Sequence, residues 1–449
     1  MTIGRGLRDA VIAAPRGLAA RLPRIPVPRL RGRFRRRGLL AFLAVMGPGI
    51  IAGVAGNDAG GITTYSVMGA ETGLSLLWIF PVTIVILAIV QEMVARLGVV
   101  TGQGLSDLIR ERFGVRWTLF AMLVLLVANI ANTVANFGGA AAALDIFGIP
   151  KWFTVPFVAV GIWGLVLFAS YRIVERVFLL VMVVFLAYPI AAVLSTQDWQ
   201  PVFQAMVTPD VSSLNATSLL LLVAVVGTTI TPYMQFYLQS AVAEKGIGEE
   251  ELSLEQADAV VGSVWTNLIA IFIVVATAAA VGVAGGAITS AADAARALEP
   301  VAGHFAEALF GIGLFGASAL AATIMPLSTA FVICEAFGWE SGVGKRFSDA
   351  PIFFGIYTFV LALGAIAVLL VPEGDLVAVI VGSQNLQGLL LPIVLVFIVL
   401  LVNDRRLMGR HANRRGGNLL AWGAVAVVVA LNVALLGVAL LGAFGVSVG

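Results

Sequence analysis

Gly47-Pro48-Gly49-Ile50-Ile51-Ala52-Gly53-Val54-Ala55-Gly56-Asn57-Asp58-Ala59-Gly60-Gly61-Ile62-Thr63-Thr64-Tyr65 is long and apolar enough to enter a membrane, and it carries one charge, Asp58, beside Gly56, Gly60 and Gly61. A carboxylate at bilayer depth is costly, so it normally faces a cavity and meets a partner. The glycines break the helix there, and unwound backbone is tolerated inside a membrane only where protein or water covers it. A lone acid in an unwound membrane segment is the pattern of a cation site in a carrier.

The rest of the chain agrees with a membrane protein. Of its 449 residues, 60% are hydrophobic and 12% charged, against about 25% charged in a soluble domain. The mean hydropathy is +1.02. A formal charge of +2 conceals an uneven distribution, because Arg31, Arg33, Arg35, Arg36 and Arg37 crowd in front of the first span. Residues 1–38 also hold Pro15, Pro23, Pro26 and Pro28 and no long apolar run, so they read as a disordered basic cytoplasmic tail. That tail is a topology signal or an anchor to anionic headgroups. The first apolar run lies too deep, and lacks the cleavage pattern, for a signal peptide. Cys334 is the single cysteine, which excludes internal disulfides, cysteine zinc clusters and iron–sulfur sites.

A window of about 19 residues predicts eleven spans: 39–69, 75–97, 117–147, 152–170, 174–195, 216–242, 259–286, 303–337, 351–371, 376–402 and 418–445. With the N-terminus inside, every cytoplasmic loop holds a basic residue, from Arg110, Arg112 and Arg116 to Arg405, Arg406, Arg410, Arg414 and Arg415. The opposite loops hold little beyond Lys151 and Arg296. The C-terminus is then expected outside, in the plasma membrane of a bacterium.

The sixth span is interrupted as well, at Gly227-Thr228-Thr229-Ile230-Thr231-Pro232-Tyr233. Pro232 removes a backbone donor and clashes with the preceding turn. Breaks in spans one and six are what two inverted repeats of five helices produce, with substrate held at the midplane between them. The plain alternative is that glycine and proline are common in membrane helices. The expected organisation is a core over 39–402, a basic loop over 403–417 and an eleventh helix within 418–449.

At these residues the chain resembles the Nramp family of divalent-metal transporters (natural resistance-associated macrophage proteins). The likeness includes the Gly47-Pro48-Gly49 lead-in, Ala95-Arg96-Leu97-Gly98-Val99-Val100-Thr101-Gly102, Asp258-Ala259-Val260-Val261-Gly262 with Asn267-Leu268-Ile269-Ala270, and Ser383-Gln384 followed by Pro392. The resemblance implies an all-α, LeuT-like 5+5 inverted-repeat fold with broken helices one and six plus an eleventh helix. Two departures stand out. The family's Asp-Pro-Gly-Asn reads Asp58-Ala59-Gly60-Gly61, so Gly61 replaces an asparagine ligand. Its Met-Pro-His reads Thr231-Pro232-Tyr233, as in the NRAMP-related magnesium transporters.

By family position the cargo ligands are Asp58, the carbonyls of Ala55 and Thr228, and Gln384, with Gly61 and Thr231 beside them. Oxygen ligands suit magnesium, calcium and manganese, and magnesium keeps much of its water. The expectation is therefore a carrier of partly hydrated Mg2+, accepting Mn2+, with no resident cofactor. The family's third-span proton relay falls on Thr133 and Asn136, and its sixth-span histidines on Tyr233 and Gln239; none titrates near neutral pH. Transport without protons follows as an expectation. Asn129, Asn132, Thr133 and Asn136 lie on or near one helical face, for interhelical hydrogen bonding or for lining a wet vestibule.

The alternatives are a proton-coupled manganese or iron importer of the ordinary family type and a sodium-coupled symporter of an organic solute. Asp58 disfavours the symporter, since such proteins aim helix N-termini at a substrate carboxylate. A metal sensor would need a regulatory domain. No nucleotide-binding loop, nucleic-acid surface or catalytic nucleophile with its base is visible, so an enzyme is not expected. The partners expected are a divalent metal ion and the bilayer, with the protein a monomer.

Overall fold

The computed structural model describes Gly49, residues 56–168, 187–196, 198–210, 214–279, 306–342 and 346–443, and a few positions from 288 to 303. Ala55, His304 and the tail over 1–38 lie outside the described residues. The described part belongs to a unit running from Phe42 to Gly449.

Among the described residues sixteen α-helices follow in order: α1 Ala59–Thr72, α2 Ile79–Thr101, α3 Leu105–Phe113, α4 Val115–Asp145, α5 Lys151–Phe168, α6 Ala187–Ser195, α7 Gln200–Val207, α8 Ala216–Thr229, α9 Pro232–Lys245, α10 Leu252–Thr277, α11 Ala291–Ala295, α12 Ala306–Phe337, α13 Pro351–Leu370, α14 Leu376–Val402, α15 Arg405–Met408 and α16 Arg415–Ala443. Eight membrane-length apolar helices occur among the described residues, and they match predicted spans two, three and six to eleven. The fourth predicted span is a shorter apolar helix, and most of the fifth, 174–195, lies outside the described residues. The first is described from its break onward, as α1.

Local chemistry sets the helix ends. Asp58 caps α1 by accepting the Gly61 N–H, and Asn215 caps α8 by accepting the Ser218 N–H. Each satisfies an otherwise orphaned donor of a first turn. Pro232 and Pro351 open α9 and α13, where a missing N–H costs nothing. Gly102 closes α2 in the left-handed region at φ 62.

Two kinds of contact bring the site's helices together. Where glycine lines the seam, backbones nearly touch, as small residues permit between membrane helices. A Cβ on Gly227 of α8 would lie 2.1 Å from the Gln384 carbonyl oxygen of α14, and one on Gly388 would lie 2.5 Å from the Val223 carbonyl oxygen. Elsewhere polar side chains tie helices together. Asn57 donates to Thr266 Oγ1 at 3.1 Å, and the Gly49 N–H donates to Asp258 Oδ2 at 2.7 Å. Both pairs are 209 positions apart, so Gly49 and Asn57 meet α10 in the order and spacing of its own residues. The α16 helix lies at the edge, with Leu419 76% and Val433 63% exposed, the outward apolar face a lipid-bathed helix needs.

The asparagine face of α4 makes interhelical bonds. Asn129 donates to Thr329 Oγ1 of α12 at 2.7 Å, and Asn132 reaches Met325 Sδ at 3.6 Å. All four polar residues of that face are fully buried. Glu92 and Glu335 also have partners. Glu92 pairs with Arg96 and accepts from Gln256 at 2.6 Å, while Glu335 accepts from Ser106 at 2.9 Å and Ser240 at 3.2 Å.

Candidate functional site

Asp58 is the last residue before α1 and only 5% exposed. Its Oδ1 accepts the Gly61 N–H at 3.0 Å, and its Oδ2 accepts from Asn136 Nδ2 at 2.9 Å. Hydrogen bonds to an ionised group contribute about 1.5–3 kcal/mol each, so the anion is held in place from two sides. Asn136 is fixed in turn. Its Oδ1 accepts the Ala59 N–H at 3.3 Å, and its Nδ2 also reaches the Asn132 carbonyl at 2.9 Å.

Gln384 enters from α14. Its Nε2 donates to Asn132 Oδ1 at 3.3 Å and to Ser383 Oγ at 3.0 Å, while its Oε1 accepts from Gln387 at 2.8 Å. The amide occupies the place a side chain on residue 60 would take. A Cβ on Gly60 would sit 2.0 Å from Gln384 Nε2 and 3.2 Å from Asp58 Oδ1. Gly60 is what lets the α14 amide stand beside the acid.

The second break lies between α8 and α9. Ile230 (φ −119, ψ 55) and Thr231 (φ −63, ψ 141) leave helical geometry. Four residues beyond Thr228 stands Pro232, which has no N–H, so the Thr228 carbonyl loses its normal helical donor. The side-chain hydroxyl of Thr228 is buried, and among the described residues it has no hydrogen-bond partner; that of Thr231 faces the Tyr233 hydroxyl. Gln235, one turn along α9, holds its amide nitrogen on the Thr231 carbonyl at 3.5 Å and leaves Oε1 unpartnered. Tyr65 closes one wall, its hydroxyl 2.9 Å from Thr229 Oγ1.

The residues expected at the site divide. Asp58, Gly61, Thr228 and Gln384 lie around the start of α1, and Thr231 forms the second break. Asn136 touches the acid directly. Thr133 does not: its hydroxyl returns to the Asn129 carbonyl at 2.7 Å and its methyl lies against Gly364 of α13. Spacing three residues apart put Thr133 and Asn136 together, but the helix turns Thr133 toward α13. Gln239 is bound elsewhere, donating to the Gln103 carbonyl at 3.0 Å. Tyr233 is buried on the first turn of α9. Asn132, Gln387, Gly60 and Gln235 were missed as site residues. The repeated Asn132/Asn136 spacing was the one signal that could have found any of them.

No cluster of three or more His, Cys, Asp or Glu suited to a resident metal occurs among the described residues. One carboxylate among amide, hydroxyl and carbonyl oxygens is a donor set that suits a hard cation.

The fold matches transporters of known structure. A manganese transporter of Eremococcus coleocola, solved with an aromatic bis-isothiourea substituted compound, superposes with a TM-score of 0.70 over 90% of this chain and 88% of that one, at 21% identity. Mhp1, a nucleobase-cation-symport-1 family transporter, gives 0.56 over 88% and 93% at 15% identity. The architecture is thus the LeuT-like inverted repeat. In sequence, a protein of Verminephrobacter eiseniae named divalent metal cation transporter MntH is 27% identical over 430 residues, 92% of each chain. These likenesses overturn the expectation of a magnesium carrier working without protons. The physical reason is that oxygen donors serve manganese as well as magnesium, so a missing thioether does not select between them. The family model for natural resistance-associated macrophage protein-like proteins matches residues 49–437, and the chain belongs to that Nramp family.

Proposed function

We propose that this protein is a divalent-metal importer of the ordinary Nramp type, moving Mn2+ or Fe2+ across the membrane together with protons by alternating access. The observation that carries this is the buried Asp58 carboxylate at a helix break, with the Gln384 amide and unpartnered Thr228 hydroxyl beside it. Asp58 supplies the negative charge that attracts the dication; Thr228, Thr231, Gln384 and the Ala55 carbonyl supply neutral oxygens. Thr133 and Asn136 carry no group that titrates near neutral pH. For the coupling to hold, a proton that Asp58 releases on binding metal leaves toward the same side as the cargo. The basic loops support a cytoplasmic side for α3 and α15, and the presence of both breaks in one chain supports action as a monomer.

The test is Mn2+ uptake into proteoliposomes holding the full chain, beside Asp58→Ala, with a pH dye inside. Manganese entry that requires Asp58 and acidifies the lumen is the expected result. Flux of magnesium alone, or manganese entry independent of Asp58, overturns the proposal.

A further inference from the structure

Gly61 stands where the resemblance implies an asparagine ligand, and its surroundings show what has taken that place. A Cβ on Gly61 would lie 2.5 Å from the Gly56 carbonyl oxygen and 3.4 Å from both Thr228 Oγ1 and Tyr65 Cε2. Contact at 2.5 Å with a backbone atom leaves no room for a side chain unless the break itself moves. The space is closed to an amide and bordered by two oxygens. The N–H of the same glycine is bonded to Asp58 Oδ1, so these oxygens gather where the acid is anchored.

Thr228 supplies an independent sign. Although buried Thr64 of α1 leaves its hydroxyl unpartnered among the described residues, many threonines in the helices of this protein return their hydroxyls to the carbonyl four residues back. Thr229 does so on Val225 at 2.6 Å, Thr133 on Asn129 at 2.7 Å, and Thr277 on Ile273 and Thr329 on Met325 at 2.8 Å. That bond is the usual resting place of a helical hydroxyl. Thr228, fully buried, does not make it, and its hydroxyl has no partner among the described residues. A buried hydroxyl without a partner calls for an explanation, and beside Gly61 and the anchored Asp58 a cation would supply one.

We propose that the Thr228 hydroxyl and the Gly56 carbonyl are direct cargo ligands that together replace the missing amide at position 61. This deepens the divalent-metal reading above and rests on it. Both groups are neutral oxygens, so the site prefers manganese-like cations to thiophilic ones. Thr228 is then a specificity residue through its side chain as well as its carbonyl.

The test measures manganese uptake kinetics in proteoliposomes and manganese binding by titration calorimetry of the same full-length protein. Thr228→Val keeps the shape and removes the hydroxyl; it raises KM and Kd for manganese about tenfold, the effect of about 1.4 kcal/mol, with little change in the maximal rate. Thr228→Ser restores the hydroxyl and brings KM back toward that of the parent. Gly61→Asn weakens binding, because the new side chain displaces the Gly56 carbonyl. Unchanged manganese affinity in Thr228→Val, or tighter binding in Gly61→Asn, overturns the proposal. Thermal melts without metal separate misfolding from ligand loss. If the parent binds manganese but does not move it, transport fails as a reading while the binding titration still decides the ligands.

Discussion

The two helix breaks differ in how they treat their polar atoms. At the first, the charged Asp58 carboxylate is bonded on both oxygens, to the Gly61 N–H and to Asn136, while the neutral Asn57 Oδ1 beside it has no partner among the described residues. At the second, the hydroxyl of Thr228 and the amide oxygen of Gln235 are buried without partners among the described residues. The difference follows from charge. An unpaired buried ion is far costlier than an unpaired hydroxyl, so the charged break must be satisfied by the protein itself. The neutral break can leave oxygens waiting. A cation entering between them meets an acid already in position and acceptors with nothing to give up.

Substitutions can break or sharpen that contrast. The largest effect is expected from Asp58→Asn, which keeps size and removes charge. Manganese uptake should fall by about two orders of magnitude, because the first break then resembles the second and nothing offsets dehydration of a dication. Normal uptake would mean that the acid is structural.

Gly60→Ala comes next. Its methyl would land 2.0 Å from Gln384 Nε2, pushing the amide away from Asp58 without touching any charge. An overpacked site of this kind costs about 1–3 kcal/mol, so the manganese Kd from calorimetry should rise about tenfold or more while the protein still folds. Wild-type affinity would show that Gln384 plays no part in binding.

Asn136→Leu removes the donor to Asp58 Oδ2. Leaving that oxygen unsatisfied should destabilise the metal-free protein by about 1–3 kcal/mol, read as a lower Tm in detergent. Saturating manganese should recover part of the loss, since a ligand bound only to the folded state stabilises it. A Tm equal to that of the parent would mean that the bond from Asn136 is dispensable.

The smallest effect belongs to Thr133→Val. Its hydroxyl bonds only within its own helix and its methyl packs on Gly364. Stability should change by about 0.5 kcal/mol or less, and manganese uptake should match that of the parent. A large loss of uptake would place Thr133 on a route that its position against α13 does not show.

Composition and periodicity determined much on their own. Apolar runs of membrane length and basic loops marked the spans, because lipid admits helices whose backbone bonds are internal. Asp58 among glycines, and Pro232 four residues after Thr228, marked the two breaks, because both act within one turn of chain. Motif likeness then brought Gln384 to the site from far along the sequence.

Tertiary packing decided the rest. Gly60 proved to be the socket for Gln384 because α14 closes on α8 at Gly227 and Gly388. Asn136 reached the acid while Thr133, three residues earlier, turned to α13; only the helix's rotation among its neighbours separates them. The unpartnered Thr228 hydroxyl and the Gly56 carbonyl against Gly61 depend on how two unwound segments meet. The physical reason is the range of the forces involved. Hydropathy, capping and proline chemistry act along the chain and are written in it, whereas which buried oxygen is left without a donor is settled only by the elements that pack around it.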